Sequence, residues 1–317
     1  MIDTPFIRLN QNLLEVCKSY YQLTKPRIIP LLLITTAASM WIASDGQVDP
    51  IKLLLTLVGG TLAAASAQTL NCIYDRDIDY TMERTRSRPI PSGRVQPLHA
   101  LIFALVLGLA SFSILTLWVN LLSALLSMTG IIFYMLIYTH LLKRNTTQNI
   151  VIGGAAGSIP PLVGWAAVTG DLSSAAWLLF LFIFLWTPPH FWSLALMLKD
   201  DYAQVHVPML PVVAGEQKTV QGIWFYTLLV VPLSFAFIYP LGVLGPVYGF
   251  FALTLGYLFI KKAWQLKQFP TDRTLAKSLF KFSIFYVMLM CTGMVIDSLP
   301  MVRSLVAICE QGLKSMV

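Results

Sequence analysis

Charge is what this sequence has least of. Only 12% of its 317 residues are Asp, Glu, Lys or Arg, where soluble domains average about 25%. With 56% hydrophobic residues and a mean hydropathy of +0.71, a water-soluble globule could not cover its surface. Disorder is excluded by the same numbers. Cysteine is scarce too: Cys17, Cys72, Cys291 and Cys309 show no paired spacing and no C-x-x-C, which argues against a disulfide or zinc framework. There is no heptad or Gly-X-Y period, and no G-x-x-x-x-G-K-[ST], H-E-x-x-H, C-x-x-C-H or G-x-S-x-G. These absences argue against a coiled coil, collagen, an ATP-driven pump, a metalloprotease and a serine hydrolase. The first residues lack the charged-then-apolar order of a cleaved signal, since Asp3 and Glu15 precede any long apolar run.

What the chain does have is long apolar runs, at about 28–45, 51–74, 98–117, 120–142, 149–168, 173–197, 221–240, 244–260 and 281–302. Strands of an outer-membrane barrel would alternate over segments of about 10 residues. These runs are longer and continuous, so they predict helices that span a bilayer. The expected fold is all-α: a polytopic membrane protein, a bundle of nine transmembrane helices with a central cavity facing the cytosol. The +7 formal charge fits this reading better than nucleic acid, which would need a basic soluble surface with interleaved aromatics. If nine helices alternate, all of the 22 lysines and arginines except Lys52, Arg303 and Lys314 fall on one side. The positive-inside rule makes that side the cytosol, with the N-terminus inside and the C-terminus outside. Residues 1–24 are then a cytosolic N-terminal segment and 303–317 a short periplasmic tail. The absence of a transit peptide points to a bacterial inner membrane.

Polar residues concentrate at the cytosolic ends of spans two, four and six. Span two ends with Asn71, Asp75 and Asp79, spaced i, i+4, i+8 and therefore along one helix face. Ionisable groups at membrane depth are costly and mark function. Two carboxylates and an amide suit Mg²⁺, which takes one or two carboxylates together with phosphate oxygens. The bland alternative is a solvated acidic helix end, although acids there oppose the helix dipole. Next come Arg84, Arg86, Arg88 and Arg94, in a stretch broken by Pro89, Pro91 and Gly93, which predicts a loop with fixed turns. Arginine forks bind phosphate, but they equally serve topology or meet anionic lipid.

Span six holds Trp186-Thr-Pro-Pro-His190-Phe-Trp192, then Lys199, Asp200 and Asp201. Pro188 and Pro189 should kink or unwind the helix and free carbonyls beside a cavity. A lone histidine is more often packing than ligand, but His190 lies among aromatics on an interrupted helix. Asp200 and Asp201 read either as a second metal-binding pair or as boundary residues. Lys143, Arg144 and Asn149 sit at the same cytosolic level and are candidates for the same anion. Gly153 and Gly157 form a G-x-x-x-G that permits close helix contact.

Taken together these motifs resemble the UbiA superfamily of intramembrane prenyltransferases. The match rests on Asn71-x-x-x-Asp75-x-x-x-Asp79, Arg86-Ser-Arg88-Pro-Ile-Pro-Ser-Gly-Arg94, Tyr138-Thr-x-x-Leu-Lys143-Arg144 and the glycine-rich stretch from Asn149 to Gly170. The segments at 186–192, 199–202 and 208–213 are similar to the branch whose acceptor is a haem. Similarity runs over roughly residues 20–300, and residues 25–302 are taken as the prenyltransferase domain.

The resemblance implies transfer of a farnesyl group from farnesyl diphosphate to the vinyl group of haem b, with Mg²⁺, in a lipid bilayer. The product would supply terminal oxidases, with haem A synthase or an oxidase assembly protein as partner and no nucleic acid involved. It places Asn71, Asp75, Asp79 and His190 in catalysis, and Asn71, Asp75, Asp79, Asp200 and Asp201 around the metal. It places Arg88, Arg94, Lys143, Arg144, Asn149 and Lys199 on the diphosphate, and His190, Trp186 and Trp192 on the haem. One departure matters: many members have an aspartate where His190 stands and further acids where this chain has Met197 and Lys199. The second metal site is thinner here, and the histidine is free to serve the acceptor. Two alternatives stay open, a prenyltransferase acting on an aromatic quinone precursor and a secondary transporter using Asp75 and Asp79 as ion sites.

Overall fold

The computed structural model describes residues 5–314, with side chains described from 13 to 308; the side chains of Arg8, Cys309 and Lys314, and all of Asp3, lie outside the described residues. The order is α1 (Pro5–Leu23), α2 (Ile29–Ala43), α3 (Pro50–Tyr74), α4 (Arg76–Thr81), α5 (Pro97–Trp118), α6 (Leu121–Ile132), α7 (Asn149–Thr169) and α8 (Ser174–Met197). Then follow α9 (Lys199–Gln204), α10 (Leu210–Val213), α11 (Gly215–Ser234), α12 (Pro246–Gln268), α13 (Arg273–Ser298) and α14 (Pro300–Lys314). Strand is absent among the described residues. Helix α6 continues as a ten-residue π-helix, Phe133–Leu142.

Local signals set these boundaries. Asp49 caps α3 by accepting from the Ile51 and Lys52 amides, with Pro50 at the first helical position. Asn120 caps α6 through the Ser123 amide at 2.8 Å, and Gly170 ends α7 in a left-handed conformation, φ 71°. Asp272 caps α13 through the Thr274 amide at 2.7 Å, so this helix begins well before the apolar run expected from 281. Its first three turns carry Arg273, Lys277 and Lys281, which hid the start from a reading by hydropathy.

Among the described residues seven helices are long and apolar enough to cross a membrane: α3, α5, α6 with its π-helical extension, α7, α8, α11 with its 3-10 extension to Phe237, and α13. The other two expected spans are helical as well. Helix α2 is apolar but has only 15 residues, and α12 carries Lys261, Lys262 and Lys267 towards its C-terminus.

Small residues let the helices approach and hydrogen-bond across their contacts. Ser66 donates to the Ala104 carbonyl and Ser111 to that of Gly59, both at 2.8 Å, joining α3 to α5. Ser39 donates to the Pro161 carbonyl at 2.6 Å, joining α2 to α7. A Cβ on Gly164 would lie 2.3 Å from the Thr36 carbonyl oxygen, so that contact admits only glycine. The largest core cluster gathers α7, α8, α11, α12 and α13 around Phe182, Tyr248, Phe259 and Tyr286. Helix α8 runs unbroken through Pro188 and Pro189. The expected unwinding there does not occur: the prolines leave two carbonyls without their usual amide, yet the packed neighbours keep the helix continuous.

Candidate active site

A cavity of about 380 Å³ opens between α2, α3, α6, α7 and α8. One end is polar, lined by Asn71, Asp75, Asp79, Lys25, Arg88 and Lys143; the rest is lined by apolar and aromatic groups and reaches His190 and Trp186. Asn71, Asp75 and Asp79 are 3%, 2% and 4% exposed. They share one face although α3 ends at Tyr74. The i→i−4 bonds continue through the junction, Asp75 N to Asn71 O at 2.9 Å and Asp79 N to Asp75 O at 2.8 Å.

Each of these three groups meets one cation from a different part of the chain. Lys25, before α2, donates to Asn71 Oδ1 at 2.6 Å. Lys143, after the π-helix, donates to Asp75 Oδ2. Arg88, in the loop after α4, holds both oxygens of Asp79 at 2.8 and 2.7 Å. Asn71 Nδ2 donates to Asp75 Oδ2 at 2.8 Å, which orients the amide oxygen away from Asp75. Asp75 Oδ1 is buried and has no hydrogen-bond partner; Arg144 Nη2 stands 3.7 Å away. An orphaned carboxylate oxygen one helical turn from a second buried carboxylate fits a hard cation that also takes phosphate oxygens. Among the described residues no three acids, histidines or cysteines gather as a metal site, so a cation here would rest on two carboxylates, an amide and the phosphate oxygens.

The other sequence-predicted residues are distributed around this centre. Arg144 grips Asp77 through two 2.7 Å bonds and lies over the Tyr74 ring. That guanidinium holds the Asp77 carboxyl down to about 2. Asn149 is fully buried and donates to the Lys143 carbonyl at 3.3 Å, supporting the lysine without lining the cavity. Arg94 fastens the loop to α1, donating to Gln22 Oε1 at 3.1 Å and to the Ser87 carbonyl at 2.6 Å. Lys199 pairs with Glu216 at 3.3 Å. Asp200 is exposed and pairs with Arg273 at 2.8 Å. Asp201 lies 3.6 Å from Arg84, which lines the cavity. Arg94, Arg144, Asn149, Lys199, Asp200, Asp201 and Trp192 are therefore outside the cavity wall, whereas Asn71, Asp75, Asp79, Arg88, Lys143, Trp186 and His190 form part of it.

Aromatics frame the apolar end. The His190 ring stacks between Trp186, 4.4 Å between centroids, and Phe280, 4.8 Å. Phe191 meets it edge-on and lines the cavity, while Trp192 packs against Tyr226 on the far side of α8.

Sequence reasoning missed Lys25, Gln68, Tyr134 and Tyr138, all on the cavity wall. Gln68 had a legible signal, a lone amide three residues before Asn71 in an apolar run. Tyr138 was legible as the first residue of the Tyr138–Arg144 motif, whereas Tyr134 had no signal; both sit on the π-helix. There the Lys143 amide donates to the Tyr138 carbonyl at 2.8 Å, an i→i+5 bond, and Tyr134 and Tyr138, four residues apart, share one face. Gly153 makes room for this: a Cβ there would lie 2.3 Å from the Tyr138 ring, whereas Gly157 meets nothing within 4 Å and borders the cavity.

Cations and carboxylates buried at one end of an apolar intramembrane cavity define a site for an anionic head with a long apolar tail. Residues 32–285 match the UbiA prenyltransferase family, and the chain belongs to that family. Among curated relatives, the protoheme IX farnesyltransferase of Gloeothece citriformis is 70% identical, covering 100% of this chain and 98% of the relative. That of Synechocystis sp. is 71% identical over 96% of each. Two solved structures share the fold. A digeranylgeranylglyceryl phosphate synthase aligns with TM-score 0.74 at 22% identity, over 90% of this chain and 99% of the other. A UbiA homologue of Archaeoglobus fulgidus bound to GPP and Mg²⁺ aligns at 0.61 and 13%, over 87% and 99%.

Proposed function

We propose that this chain transfers the farnesyl group of farnesyl diphosphate to a vinyl group of haem b, giving haem O and diphosphate. The supporting observation is the pairing of Asn71, Asp75 and Asp79 with Lys25, Lys143 and Arg88 at the polar end of one cavity whose other wall presents His190. The names of relatives about 70% identical over nearly the whole chain supply the substrates.

Asn71, Asp75 and Asp79 would hold Mg²⁺, which supplies Lewis-acid stabilisation of the leaving diphosphate. Lys25, Lys143 and Arg88, which hold the motif oxygens in the structure, would be the cations available to the phosphate oxygens. Such fixed cations stabilise the charge that develops as the allylic C–O bond breaks. The haem vinyl attacks the farnesyl C1. Water adds to the cation left beside the porphyrin and gives up a proton, completing a hydroxyalkyl side chain. The apolar wall keeps water from the allylic cation before that attack. Helix α3 offers the tail a smooth path: Gly60, Ala64 and Ala67 line the cavity on the face that carries Asn71, over roughly 16 Å of helix.

In this reading α2 and α12 also cross the membrane, giving nine passes in a bacterial inner membrane. The cytosol meets the Asp75 end, with the N-terminus inside and the C-terminus periplasmic. Haem A synthase or an oxidase assembly protein is the class of partner that would receive the product.

Asp75→Asn and Asp79→Asn should each lower turnover roughly 10²–10³-fold, measured as haem O formed by detergent-purified protein with Mg²⁺. Wild-type yields from either variant would refute the assignment of these carboxylates.

A further inference from the structure

We propose that Ser283 of α13 is a positioning residue that fixes the tautomer and plane of His190, leaving Nε2 as a lone-pair donor for the iron of the haem substrate. The inference rests on the reading of His190 as the residue that faces haem. It starts from one hydroxyl hydrogen. Ser283 is fully buried, and its hydroxyl donates to the Phe280 carbonyl at 2.7 Å, the usual length of an O–H···O bond. With that hydrogen used, the Ser283 oxygen can only accept from His190 Nδ1, which lies 2.8 Å away. Neutral imidazole carries one N–H, so protonation at Nδ1 leaves Nε2 unprotonated. The reverse arrangement, with Ser283 donating to Nδ1, would put an N–H at Nε2. No acceptor for it is found among the described residues.

The same serine fixes the ring's surroundings. Its carbonyl accepts from Trp186 Nε1 at 2.9 Å, so residue 283 holds both members of the Trp186–His190 stack, whose planes are 17° apart. Phe280 covers the other imidazole face at 22°. A ring flip would have to break two stacks and one hydrogen bond. An imidazole held by an Nδ1–H···O bond on a ring that lines a cavity is the arrangement by which proteins orient a histidine towards a metal. Nothing in the sequence pointed to Ser283, a single serine in the apolar run Phe282-Ser283-Ile284-Phe285.

The wild-type protein provides the first test. The full chain has four histidines; after ¹⁵N-histidine labelling in detergent, the His190 signals are those lost in His190→Gln. The expected result is a protonated-type shift at Nδ1 and an unprotonated-type shift at Nε2; the opposite tautomer overturns the proposal. The second test is haem b titration followed by the Soret band and electron paramagnetic resonance. Ser283→Thr should keep the wild-type spectrum. Ser283→Val, of the same shape without the hydroxyl, should change it and weaken haem binding about 10-fold or more, with farnesyl diphosphate binding unchanged. If Ser283→Val matches wild type while His190→Gln loses the spectrum, the positioning role is overturned and the haem reading stands. If His190→Gln itself binds haem as wild type does, both are overturned.

Discussion

Lys25 shows how single residues build this site from distant parts of the chain. It precedes α2 in a left-handed conformation, φ 47°, which is costly for a side chain with a Cβ. That backbone places its amino group on Asn71, 46 positions later in the sequence. From sequence it read only as one of many inside cations, because neither its backbone conformation nor its partner is encoded by local pattern. Hydrogen bonds to charged groups contribute about 1.5–3 kcal/mol. Lys25→Met should therefore raise KM for farnesyl diphosphate roughly 10–100-fold and leave KM for haem near wild type; an unchanged KM for the diphosphate would remove Lys25 from the site. Asp77 marks the contrast between the buried and exposed acids of the same motif. Its carboxyl is lowered from about 3.8 to about 2 by Arg144. A lowered carboxylate stabilises the fold above its unfolded pKa, and that contribution fades as pH falls through the folded value. The Tm difference between wild type and Asp77→Asn should be constant above about pH 4 and close on acidification towards 2. Because the Asp77 side chain is 62% exposed, the difference should stay below about 1 kcal/mol and shrink in salt. A gap that widens in acid would contradict this pairing.

At the scale of elements, legibility followed periodicity. The face of α3 bearing Asn71 and Asp75 could be read because 3.6-residue spacing is a strong signal, and Asp79 keeps that face across the break into α4. The π-helix over Phe133–Leu142 could not, since its apolar residues suit an α-helix equally well. The register shift shows only in its i→i+5 bonds. The Gly153–Gly157 pair was legible as a close contact, but only Gly153 makes one, against Tyr138, while Gly157 borders open space. Gly153→Ala should thus displace Tyr138 and the π-helical turn carrying Lys143, at a cost of about 1–3 kcal/mol, seen as a lower Tm together with lower turnover. Gly157→Ala, with nothing to strike, should leave Tm close to wild type. Equal losses in both variants would indicate that the pair packs as a simple helix contact. The prolines of α8 illustrate the opposite limit: local chemistry favours a break, and packing against α7, α11 and α13 overrides it.

Across the whole molecule, the scarcity of charge is what made the architecture readable. So few ionisable groups in so apolar a chain imply a bilayer, and their crowding at the ends of spans two, four and six marked the end where the cavity is polar. Composition could not show which cations face the cavity. Arg94, Arg144 and Lys199 share the motif region with Arg88 and Lys143 but are engaged by Ser87 and Gln22, by Asp77 and by Glu216. Nor could it show the sandwich of Trp186, His190 and Phe280 at the aromatic end of the cavity, which joins α8 to α13 across 90 positions of sequence. In the proposed function one cavity binds an isoprenoid diphosphate at its acidic end and haem at its aromatic end. The most direct measurement is mass spectrometry of the products formed by purified protein given haem b, farnesyl diphosphate and Mg²⁺. The expected product is a haem enlarged by one farnesyl group and one hydroxyl, formed only when all three are present; unmodified haem beside farnesylated 4-hydroxybenzoate in a parallel reaction would contradict it.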